Sequence, residues 1–388
     1  MKTSILNLVS VFSCKKPYLY SFPLMFLLLL LFQSCTKDSS ITGPENQILT
    51  DETIAELQAA ADIVMVYTPG LIAYIVKEGE EEVIIKRGVS NLTTNEPVDE
   101  NNFFRIASIT KTFTTEAVLI LADQQLIDLN ATVASYLQEY NIPGSDTITV
   151  RMLGNMTSGL VSYTADTTFY KQLYFLRGEW VFCAPELIFY SSKYPLKFTP
   201  GSKYEYCNTN TVILGEIIKK VTGKSVSQVF AEEIFQPLGM ENTIWPTSRY
   251  LPAPYTHGYS ANVGSLIDVT NWNPSYGDAA GILVSNFTDL KIWAKEINEM
   301  KLLSASSKAE RRGWIDEDPV NNPGQNYYGF GLMKYRDWIG HSGVIEGYNT
   351  QIYYNTVKDI MIIINTNTQD NNPAEGAFHL FADIIDSK

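Results

Sequence analysis

The chain has 388 residues, 45% hydrophobic and 18% charged, enough for one large two-lobed unit or two domains with a sizeable core. A formal net charge of −13 with no basic stripe argues against nucleic acid as a partner. Three histidines and four cysteines, without close ligand spacing, disfavour a zinc centre, and neither metal nor cofactor is expected.

The N-terminus reads as an address. Lys2, Lys15 and Lys16 precede an apolar run, Leu24–Phe32, that is short for a bilayer span and suits the core of a signal peptide. Phe32-Gln33-Ser34-Cys35 then gives way to polar Thr36-Lys37-Asp38-Ser39-Ser40. This resembles a bacterial lipoprotein signal over residues 1–34, with Cys35 as the lipidated first residue of the mature chain. The resemblance implies export to the bacterial cell envelope and a lipid anchor facing periplasm or cell surface. The alternative is an ordinary cleaved signal that contains a cysteine. Residues 35–49, with Gly43-Pro44, read as a flexible tether, so the body occupies 50–388.

Thr50 or Asp51 opens an amphipathic helix carrying Ile54, Leu57, Ala61 and Val64. Leu71–Val76 and Glu82–Lys86 read as strands joined by a turn at Glu78-Gly79-Glu80, and the cluster Glu80-Glu81-Glu82 reads as solvated. Ile106, Ile109, Phe113, Ala117, Ile120 and Leu121 recur at threes and fours, predicting a helix with one buried face. The chain to about Ala294 is mostly helical, including Thr209–Lys220 after a Pro200-Gly201 turn. Tyr328–Tyr335, Trp338–Val344, Asn349–Tyr354 and Ile360–Asn365 restore strand character before a closing helix from about Ala374. Strands at both ends with helices between predict an α+β fold with one antiparallel sheet completed by both termini.

Three motifs carry chemistry. Ser108-Ile109-Thr110-Lys111 puts Ser108 in the first helical turn and Lys111 at i+3, so both heads share a face. The helix N-terminus favours a developing oxyanion, and a lysine packed there loses proton affinity and becomes a base. Tyr206-Cys207-Asn208 follows, then His341-Ser342-Gly343. Singly each is weak, since Ser-x-x-Lys recurs at Ser13/Lys16 and Ser34/Lys37, and Tyr-x-Asn at Tyr353/Asn355. A Ser-His-Asp triad is disfavoured, because no G-x-S-x-G elbow occurs and His257, His341 and His379 lie in unsuitable segments. Cys183 and Cys207 remain in the body; sequence leaves their pairing open and favours Cys207 as a small buried residue.

The flanking blocks FFRIASITKTF, QLIDLNATVASYL, ITVRMLGNMTSGL, FTPGSKYEYCNTNTVILGEIIKKVTGKSVSQVFAEEIFQPLGMENT, AAGILVSNFTDL and YGFGLMKY…IGHSGVIEGY stand in one order. From about Thr50 to the C-terminus they resemble the serine β-lactamase and penicillin-recognising hydrolase family, in its class C, D-Ala-D-Ala carboxypeptidase and esterase branch. The resemblance implies a β-lactamase/transpeptidase-like fold, with a sheet flanked by terminal helices and an inserted helical lobe. It assigns Ser108 as nucleophile, with Lys111 and Tyr206 managing its proton. A neighbouring lysine ammonium would favour the Tyr206 phenolate. Asn208 would hold Lys111 and the substrate amide. His341, Ser342 and Gly343 would form an edge strand that aligns substrate, and the amides of Ser108 and Val344 the oxyanion hole. His341 stands where many relatives carry lysine, so a permanent cation becomes a group mostly neutral near pH 7; Ser342 keeps a hydroxyl for carboxylate recognition.

The expected function is a cofactor-free serine hydrolase working through an acyl-enzyme. It would act on cell-wall D-amino-acid peptides, small amides or esters, with β-lactams as substrates or traps. The alternative is a non-catalytic, lipid-anchored cell-wall binding protein with the same fold.

Overall fold

The structure is a computed structural model; it describes residues 47–388 apart from Arg177 and Val263. The expected signal and tether lie outside the described residues except for 47–49. There the amides of Ile48 and Leu49 donate to the Glu80 carboxylate at 2.9 and 2.7 Å, and Leu49 is buried. Glu80 is thus a tie for the entering chain, where sequence suggested a solvated turn residue.

The helices that matter here are α1 (Asp51–Val64), α2 (Thr110–Asp123), α3 (Thr167–Phe175), α4 (Asn208–Thr222), α5 (Asp278–Gly281), α6 (Phe287–Glu299) and α7 (Pro373–Asp386). The main sheet contains β1 (Gly70–Lys77), β2 (Val83–Asn91), β3 (Glu96–Pro97), β4 (Ile315–Asp316), β5 (Asn326–Tyr328), β6 (Met333–Tyr335), β7 (Trp338–Ile345), β8 (Tyr348–Asn355) and β9 (Ile360–Thr366). Their order is β3-β2-β1-β9-β8-β7-β6-β5-β4, antiparallel throughout. The early strands therefore pair with the last one, Leu71 opposite Thr366 and Lys77 opposite Ile360, as the terminal strand patterns predict.

Two cores follow from the two-residue side-chain period of these strands. Leu71, Ala73, Ile75, Ile360, Ile362 and Ile364 face one way and pack with Leu57 and Ala61 of α1 and Phe378 and Phe381 of α7. Ile72, Tyr74, Met361 and Ile363 face the helical lobe. With both faces covered, β1 and β9 are apolar runs rather than alternating ones. Helix α1 starts at Thr50, whose hydroxyl accepts from the Thr53 amide, with Asp51 and Glu52 suiting the N-terminal dipole.

Two expectations change. Tyr328–Tyr335 is not one strand but the hairpin β5–β6, turned at Gly331 with φ +75°; a Cβ there would meet Thr115 Oγ1 at 2.0 Å. Helix α2, predicted to bury one face, is buried on every side from Thr110 to Leu121. Its threonine side chains are hydrogen-bonded internally. Thr112 Oγ1 donates to the Ile109 carbonyl and accepts from Trp293 Nε1, both at 2.7 Å. Thr114 donates to the Ala279 carbonyl at 2.6 Å, and Thr115 to the Lys111 carbonyl at 2.8 Å. Glu116 pairs with Arg311, both fully buried, and Arg311 also donates to the Thr112 carbonyl at 3.0 Å.

Because α2 carries Lys111, the Glu116–Arg311 pair is a structural keystone. Glu116→Gln leaves a buried guanidinium without its counter-charge and should cost about 3–5 kcal/mol, measured as a lowered urea midpoint at unchanged m.

Candidate active site

Ser108 lies on a short 3₁₀ turn, Ala107–Ile109, that runs directly into α2. The turn is held by a small ladder, Phe104 opposite Ser285 and Arg105 opposite Val284, and by the Ile106 amide donating to Leu283. Ala107 adopts φ +50°, a left-handed conformation that a non-glycine residue rarely keeps without surrounding constraint. It turns the chain sharply and leaves Ser108 partly exposed beside buried neighbours.

The Lys111 side chain is fully buried, and its Nζ lies 2.9 Å from Ser108 Oγ. Nζ also donates to the Ala280 carbonyl at 2.7 Å. Loss of hydration drives its pKa well below the ordinary lysine value, which favours a neutral amine with a free lone pair. Helix α5 supplies Ala280, and its approach to α4 depends on Gly215, where a Cβ would press on Ala279 at 2.8 Å.

Tyr206 is brought to the same point from the loop before α4. Lys111 Nζ sits 5.0 Å from its ring centroid, and the Ser108 side chain is close enough to act on its phenol. Its protonation differs from expectation. Burial pushes the phenol up, and the nearby Ser108 hydroxyl only partly offsets this. Tyr206 therefore rests as a phenol, while burial favours loss of the Lys111 proton.

Asn208 begins α4, with its side-chain amide donating to Thr164 at 3.3 Å and its backbone amide to Ser162 at 3.3 Å. It makes no hydrogen bond to Lys111; the Ala280 carbonyl holds the amine instead. Cys207 is buried and Cys183 exposed, and the two are not paired.

Strand β7 is an interior strand through Gly340, where it pairs with β6; from His341 onward that edge is free of strand pairing. Gly343 is the closest approach, since a Cβ there would lie 2.3 Å from the Ile106 carbonyl oxygen and 3.3 Å from Ala107 Cβ. Only glycine lets strand and nucleophile turn meet backbone to backbone. Val344 follows, 45% exposed.

His341 is completely buried. Its Nδ1 lies 2.5 Å from the Ser342 carbonyl and its Nε2 3.3 Å from the Tyr328 hydroxyl, an arrangement that fits an Nδ1–H tautomer. Burial, with Lys111 nearby, lowers its pKa to about 3, so it carries no charge for a substrate carboxylate. Ser342 points to the other face of the sheet. Its hydroxyl lies against Met333 Sδ at 3.6 Å and lines a separate cavity of about 330 Å³ with Gln351, Tyr353 and Phe378. The expected carboxylate-binding role for Ser342 finds no support in that placement.

Two groups escaped sequence reasoning. Ala280 lies in the AAGILVS block, but a backbone carbonyl leaves no side-chain signal. Glu346 sits at the β7–β8 turn, two residues beyond Val344, and accepts hydrogen bonds from Tyr174 at 2.7 Å and from Tyr276. Among the described residues no basic side chain pairs with it, and no cluster of His, Cys, Asp or Glu suits a metal ion.

Comparison with known proteins bears on the family and the fold. The chain is 28% identical over 334 residues to a D-aminopeptidase of Gluconobacter oxydans, covering 82% of this chain and 60% of that protein. It is 26% identical to Protein flp of Staphylococcus aureus, covering 83% and 64%. The chain thus spans less than two thirds of the length of these relatives. A D-stereospecific amidohydrolase from a Streptomyces species superposes with a TM-score of 0.77 at 28% identity, covering 84% of this chain and 97% of that one. A penicillin-binding protein from Bacillus halodurans shares the fold alone, with a TM-score of 0.72 at 19% identity, covering 86% and 100%. The Beta-lactamase family model matches residues 51–382, and the chain belongs to that family, with its β-lactamase/transpeptidase-like fold.

Proposed function

We propose that this protein is a serine hydrolase that cleaves amides of D-amino acids bearing a free amino group, through a covalent acyl-enzyme. The observation that carries the reading is the fully buried Lys111 amine 2.9 Å from the partly exposed Ser108 hydroxyl. The uncharged amine takes the Ser108 proton as Oγ attacks the carbonyl carbon. The amides of Ser108 and Val344 would receive the oxyanion. Tyr206, a phenol beside both groups, passes a proton to the departing nitrogen and is reprotonated from Lys111. Water then attacks the ester, Lys111 takes its proton and returns it to Ser108 Oγ as the ester bond breaks, and the acid product leaves with the enzyme restored.

The substrate class rests on charge. A neutral, enclosed His341 removes the clamp for a substrate carboxylate, which weighs against a carboxypeptidase. The Glu346 carboxylate, without a basic partner, favours a substrate ammonium near the acyl carbon. The names of the D-aminopeptidase and amidohydrolase relatives point the same way. Esterase action and β-lactam trapping use the same nucleophile. A binding protein without catalysis has no need of an uncharged lysine against a serine. We also propose lipidation of Cys35 and an envelope location; among the described residues no helix is long and apolar enough to cross a membrane.

Intact-mass measurements with a fluorophosphonate and a penicillin should show adducts lost in Ser108→Ala. Absence of any adduct on folded protein would favour the binding-protein reading. Lys111→Ala should slow acylation by about a hundredfold to ten-thousandfold. Wild-type activity should rise with pH along a limb that titrates the amine, with a midpoint well below the ordinary lysine value of 10.5, because the base form exists above its pKa. A limb near that ordinary value would contradict a neutral resting amine. Turnover of D-phenylalaninamide should exceed that of its L-isomer and its N-acetyl derivative. Glu346→Gln should raise KM about tenfold to a hundredfold for the free amine and leave the N-acetyl derivative unchanged. Incorporation of an alkyne-tagged fatty acid in a bacterial host should vanish in Cys35→Ser.

A further inference from the structure

We propose that a second cavity, lined in part by Asp278 and Ile282 on either side of the carbonyl that holds Lys111, binds an organic ammonium ion, and that its occupancy acts on the Lys111 amine. The cavity has a volume of about 400 Å³, within the range of small-molecule sites. Phe182, Trp245 and Ile282 give it apolar walls, while Asp278 and the Glu216–Lys219 pair supply its charge. Ser108, Lys111, Tyr206 and Val344 do not line it.

The charge balance selects a cation. Glu216 is already engaged, accepting from Tyr140 at 2.5 Å and from Lys219 at 2.7 Å. Asp278 has no such partner: the hydrogen bond it receives among the described residues is from the Ala279 amide to Oδ1, at 2.6 Å. One carboxylate is left over for a ligand. Aromatic walls beside a carboxylate suit an ammonium with an apolar body, through cation–π attraction and exclusion of water. Loss of hydration raises the Asp278 pKa to about 6, with Glu216 adding to the rise and Lys219 opposing it. The Tyr163 phenol also feels Asp278 and, with its own pKa pushed well up, stays neutral.

The same residue couples the cavity to the chemistry. Asp278 opens α5 at φ +39° and ψ −142°, a conformation that side chains other than glycine rarely adopt. Its carbonyl accepts from the Ile282 amide at 3.0 Å. The next two carbonyls, of Ala279 and Ala280, accept from Thr114 and Lys111 of α2. A ligand that pulls on Asp278 therefore acts on the strained end of the four-residue segment that positions Lys111 Nζ.

The test is calorimetric titration of the full-length protein with benzyltrimethylammonium, with neopentylbenzene as the neutral isostere. The cation should bind at pH 8 and the hydrocarbon at least about tenfold more weakly. Asp278→Asn and Trp245→Ala should each weaken binding about tenfold, whereas Ser108→Ala should bind as wild type does. Binding should fade as pH drops through about 6, where Asp278 takes up its proton. Saturating cation should change the rate of Ser108 acylation by a fluorophosphonate in wild type and leave it unchanged in Asp278→Asn. Cys183, which lines the cavity, gives a second readout: a cationic methanethiosulfonate should modify it faster than a neutral one, and Asp278→Asn should remove the difference. Equal affinity for cation and hydrocarbon, binding indifferent to both cavity substitutions, or binding abolished by prior acylation of Ser108 would overturn the site. Saturation without any change in acylation rate would overturn the coupling. Failure of amide hydrolysis alone would bear on the catalytic reading, since neither probe depends on a D-amino-acid substrate.

Discussion

Desolvation of one amine organises this protein. Lys111 is fully buried because α2 is packed on all sides, and on the proposed reading that burial is what makes it a base. A helix enclosed this completely must satisfy its own polar atoms, which explains three threonines bonded to backbone carbonyls and an acid paired with Arg311. The sheet and the helical lobe serve as the two walls of that enclosure. The Phe113–Trp293 stack, with ring centroids 3.7 Å apart, seals the helix farther along.

The active site forms where three distant segments converge on the start of α2. The nucleophile turn meets β7 through Gly343, and α5 meets the lysine through a carbonyl. The β7–β8 turn reaches over to Tyr174 of α3 and Tyr276 before α5 through Glu346. The Gly343 and Glu346 contacts join sheet to lobe, while the Ala280 contact lies within the lobe. Strain concentrates there as well: Ala107 and Asp278 both hold positive φ, one on each side of the lysine.

The meeting of Ser108 and Lys111 was legible because it is local: a spacing of three residues brings two side chains together. The sheet was legible because strand patterns at the two termini can close only against each other. What could not be read is long-range or environmental. The Ala280 carbonyl lies 169 residues from Lys111 in sequence and has no identity of its own. Tyr206 was expected to gain phenolate character from a neighbouring ammonium; burial instead raises its pKa, and a motif does not encode burial. The β5–β6 hairpin was missed because Gly329 and Gly331 were read as part of a strand. The orientation of Ser342, by contrast, was implicit in the two-residue period, since His341 and Gly343 already claim the face toward the nucleophile.

The contact of Gly343 with Ile106 places the alignment of the site in the main chain. No side chain mediates it, so no side-chain substitution elsewhere retunes it. The groups proposed for recognition, by contrast, sit on separate segments: Glu346 on a hairpin, Tyr174 on α3, Tyr276 ahead of α5. Specificity and reactivity are thereby carried by different parts of the chain. A scaffold built this way can exchange one class of acyl donor for another by remodelling its rim, while bond-making geometry stays constant.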